Sequence, residues 1–218
     1  MLESNQVRVD HREPAQVAAV AALHAELLPD SPIPRLGSRF MTEFYYPCLV
    51  KDGFIQCDAY RRDAQWIGFM AYTNAPFTFM RQAALRNLLT LSRVLMRCLA
   101  EHPSRMATLF EVLRLSRLRR RMAEPRVGEL LSFGVLPGFT RLKDEKSGLR
   151  VPNLLFENAV RALRDNGVEK ILFWVLRSNR PMLLFYQSYG IAFRDAPVAR
   201  EHLVTSVATD KIVLRGAP

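Results

Sequence analysis

The sequence predicts an α/β fold: a mixed central sheet flanked by helices, with two basic helices set between its third and fourth strands. Three observations carry this. Apolar runs of strand length, closed by turn-forming pairs such as Asp52-Gly53 and Pro137-Gly138, recur along the chain. Between them lie stretches whose apolar residues recur at helical spacing. Residues 79–124 differ from both, with no glycine and with arginines interleaved with leucines.

Taken in order, residues 6–10 alternate in polarity and read as a first strand. Pro14 opens an alanine-rich helix to Leu28, with Val17, Val20, Ala21, His24 and Leu27 on one stripe. Pro29, Pro32 and Pro34 punctuate, and residues 36–50 form a second helix rich in aromatics. Residues 54–60 and 65–73 form an antiparallel hairpin around Arg61-Arg62-Asp63. The arginine-rich segment, broken at His102-Pro103-Ser104, reads as two amphipathic helices with basic outer faces.

Residues 129–136 are a strand, since Pro137-Gly138 ends the run before a helix could close. Gly134 inside it marks a bulge or a close approach by another backbone or ligand. A basic turn with Arg141, Lys143, Lys146 and Arg150 then feeds a helix whose stripe is Val151, Leu154, Leu155, Ala159, Ala162 and Leu163. Free N–H groups and the dipole at such a terminus favour a phosphate. Asn166-Gly167 stops the helix. The continuous apolarity of residues 171–176 indicates a strand covered on both faces. Asn179 caps a short helix that ends near Gly190, and residues 193–198 and 206–214 close the sheet. Without an internal repeat or a low-complexity linker, residues 1–218 form one domain.

Composition narrows the function classes. The chain of 218 residues is 49% hydrophobic, enough for a full core. Its net charge of +10 calls for an anionic partner. Cys48, Cys57 and Cys98 are odd in number and scattered, which fits neither a disulfide framework nor a metal site. A polar N-terminus and the absence of a long apolar run point to a cytoplasmic protein without a spanning helix. His11, His24, His102 and His202 lack metal-spaced partners and read as structural or exposed; Trp66 and Trp174 read as core.

The order of elements, and above all residues 128–193, resembles the GNAT N-acetyltransferase superfamily. Glu129 precedes Val135 as a glutamate precedes the strand-end residue in the histone acetyltransferase branch, where it is the general base. Asn179, Met182, Tyr186 and Gly190 match the family pattern N-x-x-A-x-x-x-Y-x-x-x-G in spacing, with Met182 in the alanine place. The tyrosine of that pattern commonly protonates the leaving thiolate. Lys146, Ser147, Gly148, Leu149, Arg150 and Val151 stand where the family's pyrophosphate loop stands, with Leu149 and Val151 replacing small residues.

The resemblance implies an N-acyltransferase moving an acyl group from acetyl-CoA, or another acyl-CoA, to a primary amine of a small molecule, with no metal. Glu129 is then the base and Tyr186 the acid. Phe133, Gly134, Val135, the loop 146–151, Asn179 and Tyr186 would hold the cofactor, with N–H groups freed by a bulge at Gly134 polarising the thioester. Two alternatives stay open. An acyl carrier protein, acidic on its surface, could be the donor that the arginines meet. A non-catalytic module could use its basic helices on nucleic acid or an anionic membrane, though no sequence-specific groove-reading motif is present. The helices of 79–124 could cover the site or face a second subunit in a homodimer.

Overall fold

In the computed structural model, residues 5–120, 123–196 and 202–216 are described. The first half runs β1 (Gln6–Arg8), α1 (Pro14–Leu27), α2 (Pro32–Arg35), α3 (Ser38–Phe40), a π-helical turn (Met41–Tyr45), α4 (Tyr46–Lys51), β2 (Gln56–Arg62) and β3 (Gln65–Thr73). Next come α5 (Phe79–Arg86), α6 (Leu88–Glu101) and α7 (Arg105–Arg120), then β4 (Val127–Val135), α8 (Val151–Asp165) and β5 (Lys170–Leu176). The chain closes with α9 (Arg180–Gln187), β6 (Arg194–Asp195) and β7 (His202–Ala208).

The seven strands lie in the order β1-β2-β3-β4-β5-β7-β6. All neighbours are antiparallel except β4 and β5, which run parallel because α8 crosses over between them. Two apolar layers sandwich the sheet. On one face α1, the helices of 38–51 and parts of α5 and α6 cover β2 and β3 through Val20, Phe44, Tyr46 and Phe69. On the other, α8 and α9 cover β3–β5 through Leu155, Phe156, Phe173 and Tyr186. Truncating a side chain at the centre of that layer, as in Leu155→Ala, would cost on the order of 2–5 kcal/mol.

Local signals explain several boundaries. Asn179 accepts a hydrogen bond from the Met182 N–H at 3.2 Å and so caps α9. Gly167, at φ +75°, adopts the left-handed conformation that follows α8.

The structure corrects the sequence reading in five places. The described residues between β3 and β4 hold three helices, because Asn87 interrupts the first: its side chain bonds Asp52 and the Ala83 carbonyl instead of continuing the helix. The helix expected over 36–50 starts at Ser38 and contains the π-helical turn. The last strand is His202–Ala208, not 206–214, since a 3₁₀ turn at Thr209–Lys211 ends it. The strand expected over 193–198 is reduced to Arg194–Asp195, and residues 197–200 lie outside the described set.

The bulge is the fifth difference. Ala71 faces Ser132 and Tyr72 faces Leu130, so the extra residue is Leu131. Gly134 pairs regularly with Phe69. A Cβ on Gly134 would lie 2.8 Å from Leu27 Cδ1 and 3.1 Å from its Cβ, so the glycine admits α1 rather than a ligand.

Candidate acyl-transfer site

The parallel register of β4 and β5 ends where Leu130 faces Phe173. Both strands continue, β4 to Val135 and β5 to Leu176, without further pairing to each other. Strand twist together with the bulge at Leu131 separates them there. A cavity of about 950 Å³ adjoins this parting. Leu131, Ser132 and Phe133 line it from β4, Trp174–Leu176 from β5, and Asn179, Met182 and Tyr186 from the α9 side. The helices α2, α5, α6 and α7 close it opposite.

Tyr186 is 4% exposed and packed among Phe156, Phe173, Phe185 and Phe193, with ring centroids 5.1–5.8 Å away. Burial raises its phenol well above the ordinary value, so the hydroxyl keeps its proton across the working pH range. Phe133 packs on Phe185 at 5.3 Å.

Glu129 is 1% exposed and is not among the residues lining the cavity. A Cβ on Gly128 would meet Leu163 of α8, and Leu130 packs in the α8–α9 layer. By alternation Glu129 therefore projects to the α1 face. The bulge then puts Leu131 and Ser132 on that face together: Leu131 packs in the α1 layer and Ser132 meets α1 directly.

A hydrogen-bonded chain that the sequence did not reveal runs inward from the cavity wall. Ser132 Oγ lies 3.2 Å from His24 Nε2, and His24 Nδ1 lies 2.9 Å from Tyr46 Oη. His24 is fully buried, and burial lowers its pKa to about 3, so the ring is neutral. A neutral imidazole donates from one nitrogen and accepts at the other, so it ties the Ser132 and Tyr46 hydroxyls into one directional chain. Such a contact joins residues far apart in sequence, and only the stripe position of His24 on α1 hinted at it. Trp174, read as core, is half-buried and on the cavity wall beside His202.

The loop 146–151 forms a tight hairpin of its own. Asp144 accepts from Ser147 N and Ser147 Oγ, each at 2.8 Å, and from the Tyr60 hydroxyl at 2.9 Å. Burial pushes this carboxyl up, but those bonds, with one from the Lys146 N–H, hold it below the usual carboxylate range. Gly148 N donates to Asp144 O, Leu149 N to Ser147 Oγ and Val151 N to Leu142 O. The amides that would cradle a pyrophosphate are thus already engaged. What the loop offers an anion is the exposed side chains of Arg141, Lys143, Lys146 and Arg150. Phe133, Asn179 and Tyr186 meet at one cavity, whereas Glu129, Gly134, Val135 and the loop 146–151 lie outside its lining.

Among the described residues no group of three or more His, Cys, Asp or Glu is placed to hold a metal ion. Among the same residues no helix is long and apolar enough to cross a membrane.

No protein-family model and no curated protein matches the chain. Solved structures do. SsHAT aligns with a TM-score of 0.55 at 16% identity, over 94% of this chain and 97% of its own. The PaiA N-acetyltransferase of Thermoplasma acidophilum, solved with coenzyme A, aligns at 0.51 and 11% identity over 95% and 99%. The IAA acetyltransferase of Bacillus cereus aligns at 0.50 and 11% identity over 94% and 99%. With its parted parallel strands, crossover helix and tyrosine-bearing α9, the chain has the fold of the GNAT N-acetyltransferase superfamily.

Proposed function

We propose that this protein is a cytoplasmic N-acyltransferase that moves an acyl group, in the simplest case acetyl, from a CoA thioester to the primary amine of a small molecule. One observation carries the reading: β4 and β5 part beside a cavity that has Tyr186 in its wall. The unpaired edge of β4 from Leu131 to Val135 suits a pantetheine arm lying along it as an added strand. The exposed Arg141, Lys143, Lys146 and Arg150 supply charge for its phosphates.

The reaction needs a neutral amine, and a free alkylamine with a pKa near ~10.4 is mostly protonated at neutral pH. Glu129 takes that proton through an intervening water or hydroxyl, since its carboxylate is buried on the face that also carries Ser132. The amine then attacks the thioester carbonyl, and the carbon–sulfur bond breaks. Tyr186 gives its proton to the departing thiolate. Burial holds the phenol proton tightly, but the same apolar surroundings raise the proton affinity of the thiolate.

A second reading keeps the chemistry and changes the donor. The engaged amides of the loop 146–151 favour an acyl carrier protein, whose docking would rely on the exposed arginines of α5–α7 instead of a nucleotide cradle. A melting screen with CoA, acetyl-CoA and an acylated carrier protein, paired with an assay of free thiol release, tests both. Stabilisation and thiol release with acetyl-CoA support the first; release with the carrier thioester alone supports the second. Steep salt-dependent binding to DNA or anionic vesicles, with no response to either donor, would overturn both in favour of a non-catalytic module.

A further inference from the structure

An acetyl group displaces little more than one or two waters, at ~30 Å³ each. The cavity beside Tyr186 measures about 950 Å³, at the top of the ~300–1,000 Å³ range of small-molecule sites. The helices between β3 and β4 supply much of its lining. Leu91 and Leu95 of α6, Leu109 and Val112 of α7, and Phe79 and Met80 of α5 present apolar side chains to it. All six are buried or half-buried although no side chain fills the space between them. Ser132, Ser178 and Asn179 line the cavity together with Tyr186, and the exposed Arg81 of α5 and Arg117 of α7 line it from the helices.

We infer that this cavity binds an aliphatic chain much longer than acetyl, carried by either the acyl donor or the amine acceptor. The inference rests on the acyl-transfer reading and deepens it. A chain that starts at the parted strands passes Tyr186 and enters the leucine-walled space under α5–α7. Its burial there removes apolar surface from water on both sides. Each methylene so buried strengthens binding roughly fourfold. Against the six apolar side chains of α5–α7, a sugar or polar amino acid finds no replacement for its hydrogen bonds to water.

The test uses the full chain. Binding of CoA, acetyl-CoA, octanoyl-CoA and dodecanoyl-CoA is measured by calorimetry, below the concentrations at which the long thioesters form micelles. Hexylamine and dodecylamine are compared as acceptors with acetyl-CoA. Separately, dodecanoate is titrated against the fluorescence of bound 1-anilinonaphthalene-8-sulfonate, which needs no turnover. Ala84→Trp and Ser116→Trp each put an indole into the cavity from a half-buried helix position, away from Tyr186 and Ser132. Thermal melting checks that each variant folds, and having two keeps the test informative if one does not.

The expected result is affinity or kcat/KM rising at least tenfold from short to long chain in one arm. A rise along the thioester series assigns the chain to the donor; a rise along the amine series assigns it to the acceptor. Either tryptophan should abolish the gain and the dodecanoate displacement while leaving acetyl-CoA binding within twofold. Flat profiles in both series, with acetyl-CoA bound and turned over, would overturn the chain and leave acyl transfer standing. Displacement by dodecanoate without any response to a thioester would do the reverse.

Discussion

Ser132 Oγ lies 3.2 Å from His24 Nε2, so a hydroxyl on the wall of the candidate site is held by a ring buried in the α1 layer. The ring is neutral in the folded protein because burial lowers its pKa from 6.5 to about 3. In the unfolded chain it binds a proton below about pH 6.5. Between these values the unfolded state holds more protons, so stability rises with pH there and is lost as pH falls from about 6.5 toward 3. Urea unfolding at pH 7 and pH 5 should show a loss on the order of 1–2 kcal/mol from this group. His24→Gln should lack that increment. Equal pH dependence in the two proteins would contradict a neutral buried ring.

Tyr186→Phe keeps the ring that packs against Phe156, Phe173 and Phe193 and removes only the hydroxyl. We expect melting within a few degrees of wild type, donor affinity within twofold, and kcat lower by about 10²-fold. Steady-state kinetics with calorimetry separates these. An unchanged kcat would remove Tyr186 from the acid role.

Glu129→Gln preserves the shape of a fully buried side chain. Donor binding should persist while kcat falls by about 10²–10⁴-fold, the range of a lost general base. Raising the pH should recover part of the loss, because free amine then becomes abundant. If both kcat and its pH profile match wild type, the base lies elsewhere.

Glu157 joins the end of the chain to α8. Its carboxylate accepts from the Tyr189 hydroxyl at 3.0 Å, from Arg215 N and Gly216 N at 2.9 Å each, and from Arg161 at 3.2 Å. Burial raises the Tyr189 phenol well above its ordinary value, and the neighbouring carboxylate adds to this. Glu157→Ala leaves the buried Tyr189 hydroxyl and the half-buried Arg161 and Gly216 donors without this acceptor and should cost about 1–3 kcal/mol in urea unfolding. A loss under ~1 kcal/mol would show that the network is replaced by water.

Much of this fold was legible because its signals are local. The cap at Asn179, the turn at Asp52-Gly53, the stripe of α8 and the hairpin of β2 and β3 each depend on residues a few positions apart. The spacing from Asn179 to Tyr186 also brought Tyr186 to the cavity. What the sequence hid depends on distant partners. Gly134 reads as a bulge or a close approach by another backbone or a ligand, and nothing local announces that it is Leu27 that needs the space. The bulge falls at Leu131, the second of two adjacent leucines, where no residue type marks it. Nothing local marks Asp144, an acid in a basic turn, yet Tyr60 and the turn's own amides make it the centre of the loop. Ser132 and His24 are 108 positions apart and meet only once the sheet and α1 pack together.

In the proposed reaction a thioester's pantetheine arm lies along β4 where β5 has left it. Hydrogen exchange at the amides of Leu131–Val135, with and without saturating acetyl-CoA or an acylated carrier protein, addresses it directly. Exchange in that stretch should slow on donor binding, with Val127–Leu130, already paired to β5, unchanged. Exchange at Leu131–Val135 that stays the same while a donor is demonstrably bound would contradict it.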